Sequence, residues 1–232
     1  MSFADALDIL YEDNHLVAVN KPAGWPSAHG AGEDSLDQLV KAYLKEKYRK
    51  PGNVFLGVVH RLDRPVTGVL LFARTTKAAA RLSAQFREGA VEKVYWAVVE
   101  GEVPQTAGTL EDWLRKDERT RRVVTAGPGE RGAKQSLLHF HRRAVHGGLS
   151  LLELRPQTGR RHQIRVQLAR RGWPVYGDVK YGSRHAFGPA VALHARSLTF
   201  LHPTRREPVT LTAEVPQAWR GRFAYLLNQE PA

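Results

Sequence analysis

Two uncharged apolar runs, FLGVV (55–59) and VLLFA (69–73), are joined by only nine residues, HRLDRPVTG (60–68). Runs this short and this apolar have the character of buried strands. A loop held at both ends by such strands has little freedom, and Pro65 restricts it further by pushing Arg64 toward an extended backbone. Yet His60, Arg61, Asp63 and Arg64 all lie within it. Charge concentrated on a loop fixed by rigid strands is an arrangement suited to catalysis. A neighbouring guanidinium favours the ionised carboxylate, and an ionised, positioned carboxylate can act as a nucleophile. The same residues could equally cap a turn or pair at the surface, and spacing alone leaves both readings open.

The rest of the chain repeats the theme of short strands closed by Gly and Pro. DILYEDNHLVAVNKPAG reads as two strands broken at Glu12-Asp13-Asn14. SLDQLVKAYLKEKY spaces Leu36, Leu39, Val40, Tyr43 and Leu44 as one helix face, with Asp34 or Ser35 as N-cap. TTKAAARLSAQFREG is a second helix, stopped by Gly89. KVYWAVVEG, TLEDWL, RRVVTA, KQSLLHFHRRAV and LSLLELRP follow as strands, RRHQIRVQLARRG as a basic helix, ALHARSLTF and PVTLTAEVP as strands, and AWRGRFAYLL as a closing helix. Strands outnumber helices and many are near enough in sequence to pair antiparallel. The expected class is α+β, a mixed, mostly antiparallel sheet flanked by helices and loops around a central cleft. The chain contains no repeat; AGPGERGAK (126–134) is the best candidate for an internal break, and one catalytic domain spanning 1–232 is the simplest expectation.

Charge narrows the partner. The formal net charge is +12, and residues 1–50 hold six Lys/Arg against eight Asp/Glu, leaving 29 against 15 in the remainder. The excess from residue 51 onward suits a polyanion such as RNA, because displaced phosphate counterions supply affinity independent of sequence. No apolar run approaches a membrane span, and the N-terminus carries acids where a signal peptide would carry bases. With no cysteine there is no disulfide or thiolate chemistry. A cytoplasmic protein, monomeric by default and with no membrane partner, is expected.

Several motifs carry nothing. GPGERG (127–132) matches G-x-G-x-x-G, but the alternating KQSLLHFH that follows it makes it a hairpin loop. His139 and His141 share a strand face, but Arg142 and Arg143 would repel a cation, so no metal is implied. Ser27, Ser35 and Ser183 lie in no nucleophile elbow.

QTGRRHQIRVQLARR (157–171) is more informative. A helix here sets Arg161 and Arg165 one turn apart on one face, with Ile164 and Leu168 turned to the core. Such a helix offers amides and guanidinium groups to an anion. Arg160, Arg161 and His162 at its start are candidate substrate contacts, and Arg170 and Arg171 are phosphate contacts at most.

Taken in order, NKPAG, HRLDRPVTGVLLFART, EKVYWAVVEG, RPQTGRRHQIRVQL, YGDVKYG and LHARSLTF resemble the RluA family of pseudouridine synthases, from about Ile9 to Val215. The resemblance implies the pseudouridine synthase fold and an enzyme that isomerises uridine to pseudouridine in rRNA or tRNA, with no cofactor and no metal. It implies Asp63 as catalytic residue, Tyr95 as the aromatic ring against the base, Arg165 as the basic residue pairing with the aspartate, and Leu193 as an apolar wall. It implies Arg61 as the side chain filling the gap left by an extruded nucleotide. Asp63 attacking the sugar, attacking the base, or assisting loss of a sugar proton all fit. The chain departs from the family's common pattern at Val66, at Gln167, where a histidine is frequent, and at WPSAHG, where the role of His29 is open. No S4-type domain is expected before the catalytic core. A competing reading is an RNA-binding or ribosome-assembly protein on the same fold with little or no catalysis. A protein released from catalysis would be free to lose Asp63, Tyr95 and Arg165, and all three are present. A hydrolase working through an aspartyl ester lacks a second catalytic carboxylate or histidine.

Overall fold

The computed structural model describes residues 7–29 and 34–229. Its elements, in chain order, begin with β1 (Ile9–Glu12), β2 (Leu16–Lys21), α1 (Leu36–Lys47), β3 (Gly57–Val58), β4 (Thr67–Ala73), α2 (Thr76–Glu88) and β5 (Glu92–Glu100). There follow β6 (Ala107–Asp117), β7 (Arg122–Ala126), β8 (Lys134–His146), β9 (Leu149–Pro156), α3 (Gln163–Arg170) and a 3₁₀ turn at Val179–Tyr181. The last are β10 (Leu193–Leu201), β11 (Pro208–Thr212), α4 (Gln217–Arg222) and α5 (Ala224–Leu227). This is the expected α+β class. The chain forms two units, Met1–Lys93 with Ala195–Val215, and Val94–His194 with Pro216–Ala232. The boundaries fall inside β5 and β10, whereas 126–134, the expected break, lies within the second unit; it joins β7 to β8, which flank β6 on opposite sides, so it is a connection across β6 and not the hairpin loop its sequence suggests.

In the first unit β1, β2 and β4 are consecutive antiparallel neighbours, with Leu16 opposite Ala73 and Lys21 opposite Gly68. β4 is buried at every residue, which is why VLLFA carries no charge. FLGVV yields only the two-residue strand β3, paired to the end of β4. Helix α2 covers the sheet through Ala78 and Leu82, which join Leu16, Leu71, Leu198 and Phe200 in one core cluster. Burying each Leu or Phe side chain is worth about 1.5–3 kcal/mol. Local chemistry sets the helix ends. The Ser35 N–H, at the N-cap of α1, donates to Gln38 Oε1 (3.1 Å), Thr75 Oγ1 accepts from Ala78 N–H (3.2 Å) at the start of α2, and Gly89 ends α2 in the left-handed region.

In the second unit the order β5–β9–β8–β6–β7 is built from antiparallel pairs. Helix α3 packs its Val166 against Leu114, Val123 and Tyr181. Tyr176, Phe187, Trp219 and Phe223 form an aromatic cluster that seats α4. No helix among the described residues is long and apolar enough to cross a membrane.

Candidate active site

HRLDRPVTG links β3 to β4, and segment 21–27 pins it from outside. Val66 N–H donates to the Asp63 carbonyl (3.0 Å), closing a turn on the residue of interest. On one side of Asp63, Ser27 Oγ donates to Leu62 O (2.7 Å) and accepts from Leu62 N–H (3.0 Å). On the other, Gly24 N–H donates to Arg64 O (2.9 Å), and Arg64 Nε returns a bond to Gly24 O (2.8 Å). The NKPAGWPS stretch thus splints the loop, which leaves Asp63 half-buried while Arg61 and Arg64 are exposed.

At the centre of the splint is Lys21, 0% exposed. Its ammonium donates to the carbonyls of Pro22 (2.9 Å), Arg64 (3.0 Å) and Val66 (2.8 Å), which accounts for all three of its hydrogens. Burial pulls the group down to about 7, and the charge of Asp63 opposes that pull. Lys21 is therefore a positioning residue, and its contacts span more than forty positions of sequence, beyond the reach of pattern reading. Lys21→Met should lower kcat about tenfold with little change in KM for RNA, because a buried acceptor left without a donor costs about 1–3 kcal/mol and frees the loop. Steady-state kinetics on RNA would show it. Linkage gives a second readout: the folded chain gives up this proton near 7 and the unfolded chain near 10.5, so the cost of burying the charge is fully present below about 7. That cost is relieved as pH rises toward 10.5, so the stability of wild type relative to Lys21→Met should rise across this window.

His60 answers part of the question its loop raised. Its ring stacks on Phe86 (centroids 4.8 Å apart) and its Nε2 accepts from Leu71 N–H (2.9 Å). Burial, helped by the Lys93 ammonium, lowers it to about 4. His60 is a neutral acceptor that completes the hydrogen bonding of β4.

Tyr95, Arg165 and Leu193 belong to the second unit. Tyr95 stands half-buried on β5 opposite Leu154, and Leu193 is buried at the first position of β10. The loop before α3 is organised by Gln163. Its Oε1 accepts from Thr158 Oγ1 (2.8 Å) and Arg160 N–H (3.0 Å), and its Nε2 donates to Leu137 O (3.0 Å). The helix starts later than the periodicity of RRHQIRVQLARRG suggests. His162 is its N-cap with φ 52°, so Arg160 and Arg161 precede the helix rather than share its face. His162 is held there by Tyr181, whose hydroxyl meets Nδ1 at 2.6 Å. Arg160 Nε donates to Gln135 O (3.1 Å), and Arg161 is exposed.

Arg165, 5% exposed, donates through Nε (2.6 Å) and Nη2 (2.8 Å) to the two oxygens of buried Asp178 and lies 5.1 Å from the Tyr181 ring centre. A buried guanidinium needs a paired, hydrogen-bonded counterion, and a bidentate carboxylate is the tightest available. Asp178 and Tyr181 come from YGDVKYG, and nothing in the sequence marks them as its partners. Arg170 and Arg171 also have a partner that the sequence does not mark. Both close on buried Asp112, Arg170 at 3.3 Å, and Gln167 Nε2 joins them at 2.9 Å. That carboxylate requires compensation, which these arginines supply.

Comparison with known proteins agrees with this arrangement of motifs. Residues 15–170 match the family described as RNA pseudouridylate synthase. The chain is 33% identical over 234 residues to tRNA pseudouridine synthase C of Yersinia pestis, covering 93% of this chain and 89% of that one. It is 35% identical over 234 residues to ribosomal large subunit pseudouridine synthase D of Zymomonas mobilis, covering 95% and 73%. Among solved structures, human RNA pseudouridylate synthase domain containing 4 superposes with a TM-score of 0.82 at 25% identity, covering 99% of this chain and 97% of that one. A match across most of the length, with the loop of Asp63 and the segment of Arg165 both inside it, means that the chain belongs to the RNA pseudouridylate synthase family.

Proposed function

We propose that this chain isomerises uridine to pseudouridine in ribosomal or transfer RNA as one catalytic domain, with Asp63 as the catalytic carboxylate. The observation that carries the reading is the splint around Asp63: a half-buried carboxylate in a loop tied on both sides by Lys21, Gly24 and Ser27. Such restraint is what a reacting group requires, since small errors of placement are costly in rate.

The reaction breaks the C1′–N1 bond, turns the base, and joins C5 to C1′. C5 gives up its hydrogen and N1 gains one, so no oxidant or second substrate is consumed. A stacked uridine must first leave its helix, at a cost of about a few kcal/mol. Asp63 supplies the negative charge, Tyr95 an aromatic surface and Leu193 an apolar one for the freed ring. Arg165, held rigid by Asp178, supplies fixed positive charge. Arg61 takes the place vacated by the nucleotide, while Arg160, Arg161 and His162 contact the RNA chain.

The test uses the departing hydrogen. RNA labelled with tritium at uridine C5, prepared from cells lacking this protein, should release tritium into water in the presence of the wild-type chain. No release from either the ribosomal or the transfer RNA fraction would overturn the reading.

A further inference from the structure

We propose that Arg122, Arg161 and Lys180 form a phosphate-binding subsite in the second unit that takes a backbone phosphodiester of the substrate RNA. The proposal rests on the RNA-modifying reading above and extends it to two residues, Arg122 and Lys180, outside the catalytic assignments.

Three separate segments are brought to one place by Tyr181. Its hydroxyl accepts from Val123 N–H (3.2 Å), which fixes the β7 residue next to Arg122, and meets His162 Nδ1 (2.6 Å), which fixes the residue after Arg161. Lys180 precedes Tyr181 in the 3₁₀ turn, and its ammonium lies 6.0 Å from that ring. Of the carboxylates nearby, Asp178 already carries two bonds from Arg165, and Asp117, opposite Arg122 across β6 and β7, accepts from Arg119 N–H (3.0 Å) and Thr120 Oγ1 (2.8 Å). Arg122 and Arg161 are exposed and Lys180 is half-buried, and among the described residues none of the three forms an ion pair.

An ordinary solvated surface does not look like this. Long cationic side chains on an open face spread apart or alternate with acids, whereas here the backbone is pinned so that they stay together. The Lys180 ammonium is lowered from its ordinary value by burial, then by Arg165, Arg161 and Arg122, with Asp178 acting in the opposite sense. Like-charge crowding of this kind is a cost in the free protein that a bound anion would remove. Two guanidinium groups and an ammonium match the non-bridging oxygens of a phosphodiester, the guanidiniums in paired fashion and the ammonium as a point charge. His162 adds to the argument, because a non-glycine residue at φ 52° is held in a sparsely populated conformation by the same hydroxyl.

The experiment measures binding of a fluorescein-labelled, unmodified tRNA transcript across a range of salt concentrations. It compares wild type, the triple variant Arg122→Gln/Arg161→Gln/Lys180→Gln, and Lys45→Gln/Lys77→Gln/Arg87→Gln, at exposed positions of α1 and α2, as a control that loses the same net charge. Losing one neutralised phosphate should flatten the dependence of log affinity on log salt by about 0.7–0.9 and weaken binding about tenfold near 0.1 M salt. Lys180→Arg alone should retain the wild-type slope. In tritium release the triple variant should show the loss mainly in KM. A subsite-variant slope equal to that of wild type or of the charge-matched control, in protein with an unchanged circular dichroism spectrum, overturns the subsite. If wild type binds RNA and the triple variant flattens the slope, but wild type releases no tritium, the subsite stands and the isomerase reading falls. Tritium release by wild type together with an unchanged slope in the triple variant removes the subsite and leaves the isomerase reading standing.

Discussion

Asp63→Asn should reduce tritium release from uridine-labelled RNA by at least about 10³-fold, the scale expected when a group that acts in the transition state loses its function. Asparagine keeps the shape of the side chain and leaves the backbone bond from Val66 N–H to the residue 63 carbonyl available, so the loop should survive. Affinity for RNA should change less than about twofold, since removing a negative charge from a basic protein cannot weaken its hold on phosphates. The pairing of lost turnover with retained binding separates this outcome from unfolding. The substitution also removes the charge that opposes the depression of Lys21, so Lys21 should titrate lower still than its present value of about 7. Turnover persisting in the variant would assign the chemistry elsewhere.

Much of the architecture is legible in the sequence because it is local. Helices α1 and α2 announce themselves by apolar spacing and by caps a few residues away, Ser35 with Gln38 and Thr75 with Ala78. The strands from β5 to β9 follow one another in sequence with turn residues between them. The loop at 60–68 is legible as a site because its charge contrasts with two uncharged flanks. What stays hidden depends on distance along the chain. Lys21 reaches Arg64 and Val66, Ser27 reaches Leu62, and His60 replaces a strand partner for Leu71. No periodicity marks such contacts, and a buried lysine reads in sequence as a surface one. The late start of α3 is hidden for a different reason: nothing in RRHQIR shows that His162 adopts φ 52°, because the Tyr181 hydroxyl that holds it comes from another segment. The same holds for the pairing of Arg170 and Arg171 with Asp112, which lies on a strand far earlier in the chain.

Gly68→Ala should destabilise the first unit by about 3–5 kcal/mol, combining left-handed backbone strain with overpacking against atoms that cannot turn aside. Gly68 has φ +110°, and a Cβ there would lie 2.2 Å from the Ala195 carbonyl oxygen, 2.7 Å from its nitrogen and 2.8 Å from its carbonyl carbon. All three are backbone atoms, so relief requires moving β4 or β10 rather than rotating a side chain. Lys21 faces Gly68 across β2 and β4, which means that a shift of β4 would also disturb the lysine that holds the loop of Asp63. Gly89→Ala is the matching control. Its φ is +75°, but nothing lies within 4 Å of the added carbon, so its cost should stay near the conformational term of about 1 kcal/mol. Urea unfolding of the two variants beside wild type separates the effects. A Gly68→Ala chain no less stable than Gly89→Ala would mean that backbone conformation alone, and not the approach of β10, demands glycine at this position. In that case turnover in Gly68→Ala should be preserved, whereas displacement of β4 predicts that turnover falls together with stability.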